Sequence, residues 1–348
     1  MRLTVPDPDP GRSRALAEQL GARVGLAGVL ADLDRRTRPA ADRATGTRGF
    51  TWDRRDARSR TWWPQGLTLS ADAAGRPSTL GIGDRRVLLA GWYAKGAGRA
   101  RPHVATRVSV VDLDAVGAPG YAHVLLVQAH RDESTGLVRH RPVPVHAGGL
   151  VWLGDMLLVA DTRRGVRVFD LGDVVRPPRR TGLPRGVRHL LPQRAAWLAD
   201  GDGDAEPLRW SFLSLDRTVP GTLSLVAGEY AAAGTGARLA RWALDPGSGE
   251  PARSEPDEVL TPAIASMQGA VRVEGTYVVS ASDGARRRGH LWTGPAGGPY
   301  AQHSRVLPVG PEDLAYDPAT RRVWTQTEYR GRRLVLSLPV PHRHPPPR

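Results

Sequence analysis

Residues 146–171 have the sequence HAGGLVWLGDMLLVADTRRGVRVFDL, which contains three short β-type runs. The small residues HAGG lead into LVWL, a Gly-Asp turn precedes MLLVAD, and an Arg-Gly turn precedes VRVFDL. Hydrophobic and β-branched runs separated by such turns are typical of antiparallel strands. The stretch therefore predicts a small antiparallel sheet.

Versions of this unit recur along the chain. Five units begin, in order, with PQGLTLS (64–70), LVWL (150–153), RWSFLSL (209–215), MQGAVRV (267–273) and PEDLAYD (311–317). The second unit ends with RHLLPQ (188–193) and the fourth with SRVLPV (304–309). A repeat of about 40–80 residues made of short strands is typical of a β-propeller, in which each blade is one small sheet.

The last unit has three predicted strands, whereas the other four have four each. A ring of blades closes without an exposed sheet edge only if another segment supplies the missing outer strand. The segment before the first unit, GFTWDR (49–54), can do so. We therefore predict an all-β fold, a five-bladed β-propeller closed by an N-terminal strand. The alternative is six blades, with the sixth hidden in a long linker.

Three regions are predicted along the chain. Residues 1–46 form an N-terminal helical or irregular extension, because Leu16, Leu20, Val24, Ala27, Leu30 and Leu33 have helical spacing within residues 13–35. Residues 47–340 form the propeller. Residues 341–348 form a proline-rich tail, which we expect to be disordered because proline cannot pair inside a sheet.

Composition excludes several functional classes. The chain has 348 residues, no cysteine and a net charge of +14, so disulfide and thiolate chemistry are excluded. Arginine replaces lysine almost everywhere, as in proteins of GC-rich genomes, and the arginines are scattered rather than clustered. Nucleic-acid binding is therefore not expected. No apolar run is long enough to span a bilayer, and we expect a monomer.

Two positions in each unit converge on one rim of the channel if the units are propeller blades. These positions are the start of the innermost strand and the turn between the second and third strands. The first position contains Gln65, His146, Ser211, Gln268, Glu312 and Asp313; the second contains Trp92, Asp161, Glu229, Asp283 and Glu328. Acids and amides are poor strand formers, so their recurrence indicates a site. The alternative is that these acids hydrogen-bond turn amides or pair with neighbouring arginines.

Catalytic roles are assigned to His146, Glu312 and Asp313. Either carboxylate could orient the His146 ring, and such a set can act as a general base or share a divalent, calcium-type cation with oxygen ligands. The other rim residues are predicted ligand contacts, and Trp63, Trp92 and Trp210 are predicted stacking surfaces for a sugar.

Three functions follow as alternatives. The first is binding of a small or extended polar ligand, with carbohydrate as one class. The second is a hydrolase of glycosidase or lactonase type that uses Glu312 or Asp313 opposite Asp161, Glu229 or Asp283. The third is a protein-interaction scaffold. The sequence has no nucleotide-loop, zinc-protease or serine-hydrolase motif, and DGDGDAE (200–206) lacks the glycine and the glutamate of a calcium loop.

Four segments resemble a family of secreted β-propeller proteins from actinobacteria: TWWPQGLTLSADA, RPVPVHAGGLVWLGDMLLVADTRRGVRVFDL, SMQGAVRVEGTYVVSASDGARRRGHLW and VLPVGPEDLAYDPATRRVWTQTEYRGRRLV. The resemblance covers roughly residues 50–338. It implies the propeller fold and export from the cell, and it implies no particular reaction. The chain departs from the family because no signal peptide is apparent at its N-terminus, so secreted and cytoplasmic locations both stay open.

Overall fold

Antiparallel strands dominate the part of the chain that the computed structural model describes. The described residues are 1–6, 10–73, 78–96, 103–136, 138–178, 183, 186–201, 206–232 and 236–341. The N-terminal segment contains, in chain order, β1 (Arg2–Thr4), α1 (Pro10–Leu20), β2 (Ala22–Arg23), α2 (Gly25–Leu30), β3 (Arg35–Arg36), β4 (Arg38–Ala41), β5 (Arg48–Thr51) and α3 (Arg54–Ala57).

Five groups of strands follow, which we call blades 1 to 5. Blade 1 contains β6 (Trp62–Leu69), β7 (Val87–Lys95), β8 (His103–Asp112) and β9 (Gly120–Arg131), with α4 (Ser70–Ala73) after β6 and β10 (Val138–Pro142) paired to β9. Blade 2 contains β11 (Leu150–Leu153), β12 (Met156–Asp161), β13 (Gly165–Asp170), a 3-10 turn (Leu171–Asp173), β14 (Val175–Arg176) and β15 (His189–Asp200).

The remaining blades are more regular. Blade 3 contains β16 (Phe212–Asp216), β17 (Leu223–Gly228), β18 (Leu239–Leu244) and β19 (Glu258–Leu260). Blade 4 contains β20 (Met267–Val273), β21 (Thr276–Ala281), β22 (His290–Gly294) and β23 (Ala301–His303). Blade 5 contains β24 (Pro311–Asp317), β25 (Arg322–Thr327) and β26 (Val335–Pro339), followed in space by β5 and β4.

The hydrophobic cores between blades follow a circular order. Separate clusters join blade 1 to 2, 2 to 3, 3 to 4, 4 to 5, and 5 back to 1. Alternate residues of one strand face opposite neighbours: Leu150 packs towards blade 1, whereas Val151 packs towards blade 3. The all-β propeller class is confirmed, and five blades is our interpretation of this circular order.

The N-terminal strand closes the ring as predicted. In the register between β5 and β26, Phe50 pairs with Val335 and Gly49 with Leu336. A Cβ on Gly49 would lie 2.0 Å from the carbonyl oxygen of Val335. Only glycine therefore fits at this position, and the last blade acquires its fourth strand from the start of the propeller.

The predicted N-terminal helix is interrupted. Residues 13–35 contain most of α1, then β2, α2 and the start of β3, rather than one helix. Gly21 ends α1 with a φ of +142°, which is outside the helical region. The segment also pairs with the blades: β1 with β15, β3 with β9, and β4 with β5. The domain boundaries stay a prediction, and residues 342–348 of the tail lie outside the described residues.

Two predicted outer strands were wrong in detail. The segment 188–193 mostly pairs in parallel with β9 of blade 1, and the second half of β15 completes blade 2. The outer strand of blade 4 is Ala301–His303, not the segment 304–309. Outer strands have fewer packing neighbours, so their sequences carry a weaker hydrophobic pattern than the inner strands.

We expect Phe50→Ala to lower the free energy of unfolding by about 3–5 kcal/mol, because it empties the contact between the closing strand and its neighbours. Phe50 is only 4% exposed and lies edge-on to Trp52, with the ring centroids 5.7 Å apart. Denaturant unfolding measures the change. Val116→Ala, at a residue that is 96% exposed, is the control and should change stability by less than about 0.5 kcal/mol. Equal effects of the two variants would contradict a closure that depends on this strand.

Candidate functional site

A polar cavity of about 440 Å³ lies near the start of the innermost strands. Six of the predicted rim residues line it: Gln65, His146, Ser211, Gln268, Glu312 and Glu328. Every blade contributes at least one of them. The cavity is completed by Thr162, Arg209, Tyr230, Ser266, Ser282, Gly284 and Tyr329.

Close approach of the inner strands brings these side chains together. A Cβ on Gly149 would lie 1.9 Å from the amide nitrogen of Leu213, and one on Gly269 would lie 2.5 Å from that of Leu314. Such distances leave no room for a side chain. The glycines therefore let the blades meet tightly at the axis, and the polar residues beside them share one space.

Two carboxyl groups, Glu312 and Glu328, line the same cavity. Burial raises the pKa of Glu312 well above its ordinary value, and the charges of Glu328 and Asp313 raise it further. Burial also raises the pKa of Glu328, but hydrogen bonds from Tyr329 and Gln65 oppose this shift; the Gln65 Nε2 to Glu328 Oε2 distance is 3.3 Å. Glu328 therefore ionises first, and Glu312 keeps its proton to higher pH.

His146 is held by aromatic rings rather than by carboxylates. Its ring stacks on Tyr93 with centroids 4.6 Å apart and meets His103 edge-on at 5.0 Å. Burial, together with the charges of His103 and Lys95, lowers the pKa of His146 to about 3. The imidazole is neutral at pH 7, with one nitrogen that donates and one that accepts. The predicted orientation by Glu312 or Asp313 is replaced by this ring packing.

Asp313 links inner strands and does not line the cavity. Its Oδ2 accepts hydrogen bonds from the amide of Leu67 at 3.2 Å and that of Leu150 at 3.4 Å. The side chain is fully buried, and Oδ1 has no hydrogen-bond partner among the described residues. Asp313 thus connects blades 5, 1 and 2 near the axis.

Four other predicted contacts lie away from the cavity lining. Asp161 pairs with Arg167 at 2.7 Å, Glu229 with Arg238 at 2.6 Å, and Asp283 with Arg287 at 2.8 Å. These acids follow the alternative interpretation, pairing with nearby arginines. Trp92 is fully buried and donates from Nε1 to the Ser109 hydroxyl at 2.8 Å.

The other two tryptophans also have protein partners. Trp63 has the Lys95 ammonium 3.4 Å from its ring centroid. Trp210 is fully buried and stacks on Trp242, with centroids 5.0 Å apart. Neither ring lines the cavity.

Three cavity residues that the sequence did not predict directly follow predicted ones. Thr162, Tyr230 and Tyr329 line the cavity, and each directly follows a predicted acid of the turn position. Successive side chains of an extended segment point to opposite faces, so Asp161 and Glu229 pair with arginines while the residues that follow them line the cavity. Glu328 and Tyr329 both line it. The threonine or tyrosine that follows each of these acids is the sequence signal that could have identified these cavity residues.

Metal ligands do not gather in the described part of the chain. Within it, no group of three or more histidine, aspartate or glutamate side chains is placed to hold a metal ion. Residues 202–205 of the DGDGDAE segment lie outside the described residues. The predicted calcium-type cation therefore has no ligand set that can be named here.

No described helix is both long and apolar enough to cross a membrane.

Comparisons with known proteins give structural likeness only. No family model and no curated protein matches the sequence, so the actinobacterial family stays a prediction. The chain is similar to the PQQ-bound aldose sugar dehydrogenase from Streptomyces coelicolor, at 16% identity over 88% of both chains with a TM-score of 0.38. It is also similar to a GH43_1 enzyme from Xanthomonas citri complexed with xylose, at 14% identity over 82% of this chain and 90% of that one with a TM-score of 0.39.

We expect Glu312→Gln to flatten the dependence of stability on pH. Because the folded-state pKa is raised, the folded protein binds more protons than the unfolded chain above the ordinary value of 4.5, and stability falls as pH rises from there. The variant should match the wild type near pH 4 and become relatively more stable towards pH 8. Denaturant unfolding at several pH values measures this. Glu274→Gln, at an exposed carboxylate, is the control; a wild-type slope in Glu312→Gln would refute the shift.

Proposed function

We propose that the cavity binds a neutral, polyhydroxylated small molecule of the carbohydrate class. The observation that carries this proposal is the convergence of polar side chains from all five blades on one space of about 440 Å³. This volume is within the range of small-molecule sites, which are roughly 300–1,000 Å³.

The hydrogen-bonding groups suit hydroxyl groups, which both donate and accept. The Gln268 amide has both capacities, and neutral His146 has one nitrogen of each kind. Gln65 offers its carbonyl oxygen, because its Nε2 already donates to Pro64 and Glu328. No described protein group hydrogen-bonds to the His146 ring, so its polar atoms are free for a ligand. The raised pKa of Glu312 favours a protonated acid, which adds another donor.

Tyrosine rings supply the flat surfaces. Tyr230 and Tyr329 both line the cavity, and Tyr230 is 39% exposed. A tyrosine ring combines an apolar face with a polar hydroxyl, which suits the C–H face and the hydroxyl edge of a sugar. These rings take the place that we first assigned to tryptophans.

A panel of mono- and oligosaccharides, tested by thermal shift and calorimetry, is expected to contain a ligand that binds in a one-to-one ratio. Gln268→Ala should lower the affinity for that ligand roughly tenfold, because it removes hydrogen bonds to the bound hydroxyl groups. Asp283→Asn is the matched control, since Asp283 belongs to the same blade but does not line the cavity. The proposal fails if no sugar stabilises the protein, or if both variants weaken binding equally.

Hydrolysis of a glycoside or lactone is the second candidate, and the pairing of Glu312 with Glu328 in one cavity favours it. The partners first considered, Asp161, Glu229 and Asp283, do not line the cavity. Glycosidases use one carboxylic acid that keeps its proton and one carboxylate. Glu312 has the environment of the acid, and Glu328 that of the carboxylate that activates water or attacks the sugar.

Aryl glycosides and lactones test this second candidate. Glu312→Gln and Glu328→Gln should each lower kcat/KM by roughly 100-fold or more, because proton transfer is lost, whereas Asp283→Asn should keep wild-type activity. Rates at the level of buffer for every substrate, or activity that survives both substitutions, would exclude hydrolysis at this site.

A further inference from the structure

A second cavity, of about 280 Å³, lies between the N-terminal segment and blade 1. It is lined by residues of β3, of α3 with the loop that follows, and of β6 and β8. Guanidinium groups come from Arg35, Arg55 and Arg107, hydroxyl groups from Ser59 and Thr61, and a carboxylate from Asp56. The axial cavity shares none of these residues.

Buried charges beside this cavity do not balance. Arg107 is 3% exposed and Arg333 is 1% exposed, whereas the carboxylate buried with them is Asp56, also 3% exposed. Asp56 Oδ1 accepts from Arg107 Nη2 at 2.7 Å. The guanidinium of Arg333 donates to the backbone oxygens of Asp56, Ser59 and Glu328. Of these two buried cations, only Arg107 is hydrogen-bonded to a carboxylate, whereas the guanidinium of Arg333 is held by backbone oxygens.

His123, next to Asp56, is uncharged and therefore does not alter the excess of buried positive charge. His123 Nε2 lies 2.9 Å from Asp56 Oδ2, and its Nδ1 lies 2.9 Å from the Ser109 hydroxyl. Burial, followed by the charge of Arg107, lowers the pKa of His123 to about 3. The ring is therefore neutral at pH 7 and acts as a hydrogen-bonding spacer.

The excess positive charge also lowers the pKa of a buried arginine. Burial and then the charge of Arg107 lower the pKa of Arg333 to about 10, although Asp56 and Glu328 oppose this. A guanidinium ordinarily stays charged far above this pH. An anion in the adjacent cavity would offset the repulsion and favour the charged forms.

Donors remain available at the cavity. Arg55 is exposed at its rim and has no hydrogen-bond or ion-pair partner among the described residues. Arg107 stacks on Trp62, with its guanidinium carbon 4.4 Å from the ring centroid, and its Nε has no hydrogen-bond partner. Arg35, in contrast, already donates to Gly186 at 2.8 Å and to Asp53 at 3.4 Å.

We infer that this second cavity binds a phosphate-type oxyanion, held by Arg55 and Arg107 and by the hydroxyls of Ser59 and Thr61. Planar guanidinium groups match the spacing of phosphate oxygens, and hydroxyls donate to the oxygens that remain. The cavity holds more than the anion alone, so the phosphate is either free or carried by a small molecule. The site is independent of the function proposed for the axial cavity.

Calorimetry of the full chain with inorganic phosphate tests the inference. We expect saturable one-to-one binding, which Arg55→Gln weakens about tenfold or more because a charge-assisted hydrogen bond is lost. Arg60→Gln is the matched control, because Arg60 is an exposed arginine in the loop that follows α3 and does not line the cavity; it should change the affinity by less than about twofold. Thr61→Val should also weaken binding and leaves the buried ion pair intact.

Other outcomes distinguish the source of the anion or overturn the inference. A phosphate monoester that competes with inorganic phosphate at equal or higher affinity supports a phosphorylated ligand, whereas binding of inorganic phosphate alone supports the free anion. The inference is overturned if phosphate shows no saturable binding in the millimolar range, or if chloride binds with the same affinity as phosphate. Equal losses of phosphate affinity in Arg55→Gln and Arg60→Gln would also overturn it.

Discussion

The approach of five inner strands to a common axis is the constraint on which the rest of the molecule depends. At Gly149 and Gly269 a neighbouring backbone atom lies so close that no side chain fits. Blades that meet this closely bury their hydrophobic faces against each other in a circular series of cores. The same geometry directs the polar residues at the strand starts into one shared space.

Several ionisable side chains are buried without enough opposite charge beside them. Near the axis, Glu312 and Asp313 are enclosed among strands, and burial raises the pKa of both carboxyls. Beside blade 1 the excess charge is positive, because Arg107 and Arg333 are both buried next to Asp56: Arg107 bonds its carboxylate, and Arg333 bonds its backbone oxygen. Isolated buried charges are costly, so each region is suited to a ligand that completes its hydrogen bonds or its charge.

Much of the architecture could be predicted from local patterns. The inner strands of all five blades, and the closing strand near Phe50, lie where hydrophobic alternation and turn residues indicated them. The outer strands were harder, since β15 divides its pairing between blades 1 and 2. The parallel pairing of β15 with β9 joins segments more than 60 residues apart, and no local pattern encodes such a contact.

The sequence predicted some of the residues that line the axial cavity and not others, for a physical reason. By itself the sequence determined the strands, the turns and the polar residues at the strand starts, because these depend on period and on turn chemistry over a few residues. The tertiary structure decided whether a turn acid or the residue after it lines the cavity: Tyr230 lines it while Glu229 bonds Arg238, whereas Glu328 and Tyr329 both line it. It alone decided that Arg107 and Asp56, 51 positions apart, share a buried contact, because packing between distant segments selects the face and the partner.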